Sequence, residues 1–461
     1  MNQITCVSPI DGTVYATRPI ATRDEVANRL DVARKAQKVW AARPLAERIA
    51  LVEEGVARLD QVNTDLVQEL AWQMGRPTRY GGEMGGVRER TGYMAAIARR
   101  ALAPEVMEDD AKFRRLIARE PVGLVLVIAP WNYPFLTAIN TIVPALIAGN
   151  AVVLKHASQT PLAGERLAQA FAHLPDGVFT NLFLGHALTA ELIAGRSFGF
   201  VNFTGSVAGG QAIERAAAGS FTALGLELGG KDPGYVRPDA NLDAAVDTLM
   251  DGAFFNSGQC CCGIERIYVA EPLFDAFVEK SVEWVSKLTL GNPLDAATTL
   301  GPMAAKRFAD TIRAQTAEAI AAGARPLIDP KLFAADTGET AYLAPQILVG
   351  VDHSMRVMTE ESFGPVVGIM PVRDDEEAIA LMNDSRYGLT ASVWTEDPDV
   401  GQEIGARIET GTVFMNRADY LDPALTWTGV KDTGRGAALS HLGYLSVTRP
   451  KSYHLRRLDS A

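Results

Sequence analysis

The runs GLVLVIA (Gly123–Ala129), AVVLK (Ala151–Lys155), NLFL (Asn181–Leu184), FVNFT (Phe200–Thr204) and TALGLEL (Thr222–Leu228) decide the fold of this chain. Each has the length of a buried strand, and the segments between them, Pro134–Ile147, Pro161–Ala172, Ala187–Ala194 and Val207–Ala218, space their apolar residues as helices do. Unbroken alternation of strand and helix requires right-handed crossovers, hence a parallel sheet covered on both faces. Such sheets bind ligands beyond the carboxyl ends of their strands, where the strand order reverses, and a nucleotide is the usual occupant. Yet no GxGxxG motif follows any of these runs.

Upstream, the first hundred residues read as a helical layer. Thr22 and Glu25 form a capping-box pattern, followed by the apolar stripe Val26, Leu30, Ala33 and Val39. Pro44 opens a second helix to Leu59, and further helices are expected over Asp65–Met74 and Val87–Leu102. Downstream of Gly229 and Gly230 a second α/β series begins: helix Leu242–Phe255, strand Arg266–Ala270, helix Leu273–Leu288. No repeat or long linker separates the two series, so they should meet at a short crossing packed into a cleft.

The 461 residues allow two or three domains at roughly 150 residues each. Apolar residues make up 48% and charged residues 21%, the balance of a folded globular chain. With 55 acidic against 44 basic residues the net charge is -11, which disfavours nucleic acid or an anionic membrane as partner and favours a small molecule. No apolar run reaches the roughly 18 residues of a spanning helix, and MNQITCVSPIDG has no signal-peptide pattern, so a cytoplasmic location is expected. Six histidines and four cysteines show no metal-ligand spacing, and no metal is expected. Three of the cysteines, Cys260, Cys261 and Cys262, are consecutive.

Those cysteines sit in FFNSGQCCCGIERIYV (Phe254–Val269), between a helix and a strand. GQCC there, PWNYPF (Pro130–Phe135), LELGGK (Leu226–Lys231), EESFGPV (Glu360–Val366), YGLTASVWT (Tyr387–Thr395) and GVKDTGRG (Gly429–Gly436) together resemble the aldehyde dehydrogenase superfamily, in its order and over nearly the whole chain. The resemblance implies an α/β fold: a Rossmann-type cofactor domain (1–108 and 123–228), an α/β catalytic domain (229–432) and a small oligomerisation extension (109–122 and 446–461). It also explains the missing GxGxxG, because the family holds its nucleotide in another way. It implies NAD(P)-dependent oxidation of an aldehyde to the carboxylic acid, through a cysteine thiohemiacetal and thioester.

Residue by residue, the resemblance makes Cys261 the nucleophile, Asn132 the amide that holds the oxyanion and Glu227 the base for the hydrolytic water. These are the types the chemistry needs: a thiol far more nucleophilic than a hydroxyl, a neutral donor and a carboxylate. Cys260 and Cys262 would line the pocket or fill core. The presence of Glu227 favours release of free acid over transfer to coenzyme A. Trp131, Lys155, Ser158, Gly205, Ser206, Glu361 and Phe363 fall at cofactor-binding positions, and Thr137, Asn140, Arg417, Asp419, Tyr420 and Trp427 at substrate-pocket positions.

Ser158 departs from the pattern, standing where many relatives carry a glutamate that grips both adenine-ribose hydroxyls. A serine does not repel a 2′-phosphate, so NADP should be accepted beside NAD, with Lys155 and possible help from Arg166 or a protonated His156. His156 is otherwise expected at the surface. The extended segments Lys112–Glu120 and Arg449–Leu455 would pair subunits into a homodimer or homotetramer. Two other readings stand beside this one. A noncatalytic protein on the same fold would be expected to lose Cys261, Asn132 or Glu227, and a cofactor-free thiol esterase would use the same cysteine.

Overall fold

A computed structural model describes residues 3–458. Residues 1–2 of the N-terminal stretch read above and 459–461 of the C-terminal extension therefore lie outside the described residues.

The anticipated parallel sheet is present, in the order Ala223–Glu227, Phe200–Thr204, Leu124–Ile128, Ala151–Lys155, Phe179–Asn181. Alternation along its strands explains why it is buried on both sides. Val125, Val127, Val152 and Leu154 enter one core with the N-terminal helices, and Leu124, Leu126, Ala151 and Val153 enter another with Leu30 and Ile213. The chain runs outward from Leu124–Ile128 through Ala151–Lys155 and then returns to that strand's other side, so the order reverses between Leu124–Ile128 and Phe200–Thr204. The run Asn181–Leu184 is displaced from its expected place: the strand is Phe179–Asn181, and Leu182 and Leu184 pack into the core beyond its end.

The capping box at Thr22 and Glu25 is formed as expected, with helices at Arg23–Ala41, Leu45–Gln61, Asn63–Met74 and Met84–Ala101. A hairpin, Gln3–Val7 with Val14–Pro19, precedes them. Periodicity gives little sign of it, because Cys6 and Ala16 alone of its strand residues are buried.

A second sheet has the order Arg325–Pro326, Gln346–Val349, Val366–Val372, Ile264–Ala270, Asp232–Val236, Thr390–Trp394, Thr412–Met415, parallel except at its first strand. The crossing between the sheets is short: Glu227 ends a strand of the first and Asp232 begins a strand of the second. Carboxyl ends of the first sheet therefore face amino ends of the second across a crevice. The chain later returns, as Gly434–Arg435 pairs antiparallel with Leu226 and Glu227. Helix Ser440–Ser446 then docks on Met84–Ala101, with the buried Tyr444 hydroxyl donating to the Met94 carbonyl at 2.8 Å.

The helical layer and the second lobe also meet directly. The backbones of Gly75 and Gly301 approach so closely that a Cβ on Gly301 would lie 1.9 Å from the Gly75 carbonyl oxygen. Beside them the Thr78 N–H donates to the Pro293 carbonyl at 2.8 Å. A separate antiparallel sheet joins Thr448–Arg456, Phe113–Pro121 and Glu105–Asp109, the first two in register from Thr448 opposite Pro121 to Arg456 opposite Phe113.

Candidate active site

The turn after Leu124–Ile128 is built by a buried ion pair that local sequence did not reveal. Arg76 donates to Glu83 Oε1 at 2.8 Å, to Asn256 Oδ1 at 3.3 Å and to the Asn132 carbonyl, and its guanidinium lies 4.7 Å from the centre of the Tyr133 ring. Glu83 Oε2 accepts from the N–H groups of Phe135 and Leu136, which open helix Pro134–Ile147 and have no partner within it. Asn132 is thereby fixed in a buried position.

Opposite it, helix Leu242–Phe254 gives way to Asn256, Ser257 and Gly258, all in the left-handed region at φ 52°, 57° and 69°. A Cβ on Gly258 would sit 2.4 Å from the Gly364 backbone, so glycine is needed there on two counts. The turn is locked by Ser257 Oγ donating to the Gly301 carbonyl at 2.8 Å and by Gln259 Oε1 accepting from the Ala304 N–H at 2.7 Å. Asn132 Nδ2 donates to the Gln259 carbonyl at 3.2 Å, bringing its amide up to the cysteine segment.

Of the three thiols, Cys260 and Cys262 are buried with their sulfurs 3.5 Å apart, while Cys261 is partly exposed. Interaction with the Cys260 sulfur, together with burial, holds the Cys261 thiol well above its ordinary pKa.

Cys261 and Glu227 line one cavity of about 190 Å³, shared with Thr137, Asn140, Asp419 and Trp427, all named in the sequence, and flanked by Cys260 and Cys262. Thr204 Oγ1 lies 3.4 Å from Glu227 Oε2. Burial pushes the Glu227 carboxyl up to about 7 and that of Asp419 up to about 8. Two expected pocket residues do not line the cavity. The Arg417 guanidinium lies 3.7 Å from the centre of the Tyr420 ring, and the Tyr420 hydroxyl is bound at 2.5 Å to Glu89 near the surface, which draws both away. Conversely, Arg90 lines the cavity and was not foreseen. It sits among charged neighbours in VRERT, but the buried Val87 and Met94 lie seven positions apart, and Arg90 falls on the stripe between them.

On the other side of the crevice, Lys155 ends its strand buried, and its ammonium has no hydrogen-bond acceptor among the described residues. Ser158 is exposed in the following turn. His156 is not at the surface. Helix Pro161–Ala170 closes over it at Gly164, its ring nitrogens meet the Pro134 carbonyl and Thr160 Oγ1 at 3.2 Å each, and burial lowers its pKa to about 4, leaving it uncharged. Arg166 is engaged by Glu69. Neither supplies a free cation. Gly205 follows strand Phe200–Thr204, and Ser206 caps helix Val207–Ala217 through the Gly209 N–H.

The Glu361–Phe363 loop is tethered by Glu265, which accepts from the N–H groups of Ser362 and Phe363 at 2.8 Å each and pairs with buried Lys231. Glu361 accepts from the Gly230 N–H at 3.0 Å, and burial raises it to about 8. Trp131 lies edge-on to Phe363 at 5.5 Å between ring centres. A buried free ammonium, a capped helix N-terminus at the strand-order reversal and an aromatic pair suit the phosphates, ribose and ring of a dinucleotide.

Residues 1–453 match the aldehyde dehydrogenase family. The chain belongs to that family. It is 32% identical over 448 residues to a succinate-semialdehyde dehydrogenase [NADP(+)] of Deinococcus radiodurans, covering 96% of this chain and 93% of the relative. It is 34% identical over 447 residues to an aldehyde dehydrogenase of Paenarthrobacter nicotinovorans, covering 95% and 97%. A crystal structure of an NAD-dependent aldehyde dehydrogenase from Sinorhizobium meliloti superposes with a TM-score of 0.93 at 32% identity, covering 98% of this chain and 91% of that one. The α/β architecture is thus the aldehyde dehydrogenase fold, and this aldehyde dehydrogenase is an NAD(P)-dependent oxidoreductase that converts an aldehyde to the carboxylic acid. No helix among the described residues is long and apolar enough to cross a membrane.

Proposed function

We propose that Cys261 is the nucleophile, Asn132 the oxyanion donor and Glu227 the base of this aldehyde oxidation. The observation that carries the reading is that Cys261 is the most exposed of the three consecutive thiols and shares its cavity with Glu227. The resting thiol is protonated, so its proton must pass to solvent at the partly exposed sulfur as that sulfur attacks the aldehyde carbon. The resulting thiohemiacetal oxyanion takes the Asn132 amide, which exchanges its 3.2 Å bond to the Gln259 carbonyl for a charge-assisted one. When bound, NAD(P)+ supplies the hydride acceptor. The thioester left on Cys261 is hydrolysed by water that Glu227 deprotonates, releasing free acid.

Lys155, Ser206, Gly205, Trp131, Glu361 and Phe363 are the residues to hold the dinucleotide. Ser158 leaves room for a 2′-phosphate, and NADP is accepted beside NAD. The domain division at 1–108 with 123–228, 229–432, and 109–122 with 446–461 follows the same reading. The extension is the pairing surface of a homodimer or homotetramer, and the enzyme acts in the cytoplasm on a small aldehyde, apart from nucleic acid and membrane.

The test is substitution within the triplet. Cys261→Ala should lower kcat by at least about a thousandfold, whereas Cys260→Ala and Cys262→Ala should keep measurable turnover. An active Cys261→Ala enzyme overturns the assignment.

A further inference from the structure

Arg90 lies on helix Met84–Ala101, 5% exposed, on the wall of the cavity that holds Cys261. Its hydrogen bonds among the described residues are both made by Nη1, to the Leu136 carbonyl and to Asn140 Oδ1, each at 3.0 Å. Neither acceptor is charged, and Nε and Nη2 have none. A guanidinium carries five N–H donors and cannot shed its charge, so burying it without a counter-ion is unfavourable unless an anion comes to it.

The neighbouring Asn140 gives a second, independent sign. It is 2% exposed on the same wall, and its Nδ2 has no hydrogen-bond partner. Turning the amide over would set Nδ2 against the Arg90 donor, so the orphaned donor is held in place by Arg90 itself.

We propose that Arg90 and Asn140 form a receptor for a carboxylate carried at the far end of the aldehyde, so that the substrate is an ω-carboxyl aldehyde. This rests on the cavity being the aldehyde site. The guanidinium fork matches a carboxylate, and the Asn140 amide adds a neutral donor beside it.

The other charged groups around Arg90 are already placed. Glu83 is committed to Arg76 and to the start of helix Pro134–Ile147. Glu227 has Thr204 as its hydrogen-bonding neighbour, and its carboxyl stands near 7 despite the attraction of Arg90. Asp419 lines the same cavity. Asp419, uncharged below about pH 8, does not repel the anion.

The experiment compares kcat/KM for 4-oxobutanoate and 5-oxopentanoate with butanal and pentanal, matched in chain length but lacking the carboxylate. The wild-type enzyme should prefer the acid-bearing aldehyde at least tenfold. Arg90→Met should reduce that preference at least tenfold, mainly through KM, and Arg90→Lys should restore part of it. Asn140→Leu should reduce it by a smaller factor, and it keeps the test decisive if a thermal melt shows that Arg90→Met does not fold. A wild-type preference below tenfold, or one that survives these substitutions in folded protein, overturns the receptor. If butanal and pentanal are oxidised under those outcomes, the aldehyde reading of the cavity stands while this inference falls. If no aldehyde reduces NAD+ or NADP+, both fall together.

Discussion

Glu227 shows what a single enclosed carboxyl controls. Its value near 7 places the ionised form on the alkaline side, so kcat should rise with pH through about 7. Glu227→Gln should abolish that limb, lower kcat about a hundredfold or more, and leave a pre-steady-state burst of reduced cofactor, because acyl release is the slowed step. Loss of the burst along with turnover would instead assign Glu227 an indispensable part in thiol activation. The stability effect has the opposite sense. A carboxyl raised from 4.5 to about 7 binds its proton more tightly in the folded protein, so its stabilising contribution is full below 4.5 and is lost as pH rises through 7. Ser158 carries a second prediction: Ser158→Glu should move the NADP-to-NAD ratio of kcat/KM toward NAD by about tenfold or more, close to 1.4 kcal/mol. An unchanged ratio would place the adenine ribose elsewhere. Cys261, Glu227 and Asn132 were named through the family resemblance, and the structure puts Cys261 and Glu227 on one cavity with the Asn132 amide bonded to the cysteine segment. Arg90, Arg76 and the burial of His156 were not legible. A charge inside a helix reads as solvated until the opposing surface is known, and only tertiary packing decides which charges are covered.

At the scale of elements, the alternation of strand and helix from Gly123 to Leu228 was readable because its central strands, Leu124–Ile128 and Ala151–Lys155, are buried along their whole length. The hairpin at Gln3–Pro19 was not, since Cys6 and Ala16 alone of its strand residues are buried, nor was the returning segment Gly434–Ser446, which takes its place from partners hundreds of positions away. Between helix Leu242–Phe254 and strand Ile264–Ala270 the chain concentrates its strain in three successive left-handed residues. Gly258→Ala should therefore cost about 2 kcal/mol or more of stability, through both the disfavoured φ and the clash with Gly364. It should also misplace Cys261, lowering activity further than the loss of folded protein accounts for. Denaturant titration paired with kcat per folded molecule checks this, and a variant of normal stability would mean that the turn relaxes at no cost.

For the whole molecule, the open sides of two sheets bear on assembly. Thr448–Arg456 is an outer strand of the three-stranded sheet, and Thr412–Met415 is the last strand of the second sheet. Unpaired strand edges of that kind invite another chain. Light scattering at micromolar concentration should return at least twice the mass of one chain, and a stable monomer would refute the pairing role of the extension. Inside the chain, the meeting of Gly75 with Gly301 works in the opposite sense. Here main chain lies on main chain, and the same Gly301 carbonyl is bonded to Ser257, three residues before Cys260. That joint is a weld: any side chain at Gly301 would have to push the helical layer and the second lobe apart, and would disturb with them the turn that carries the cysteines.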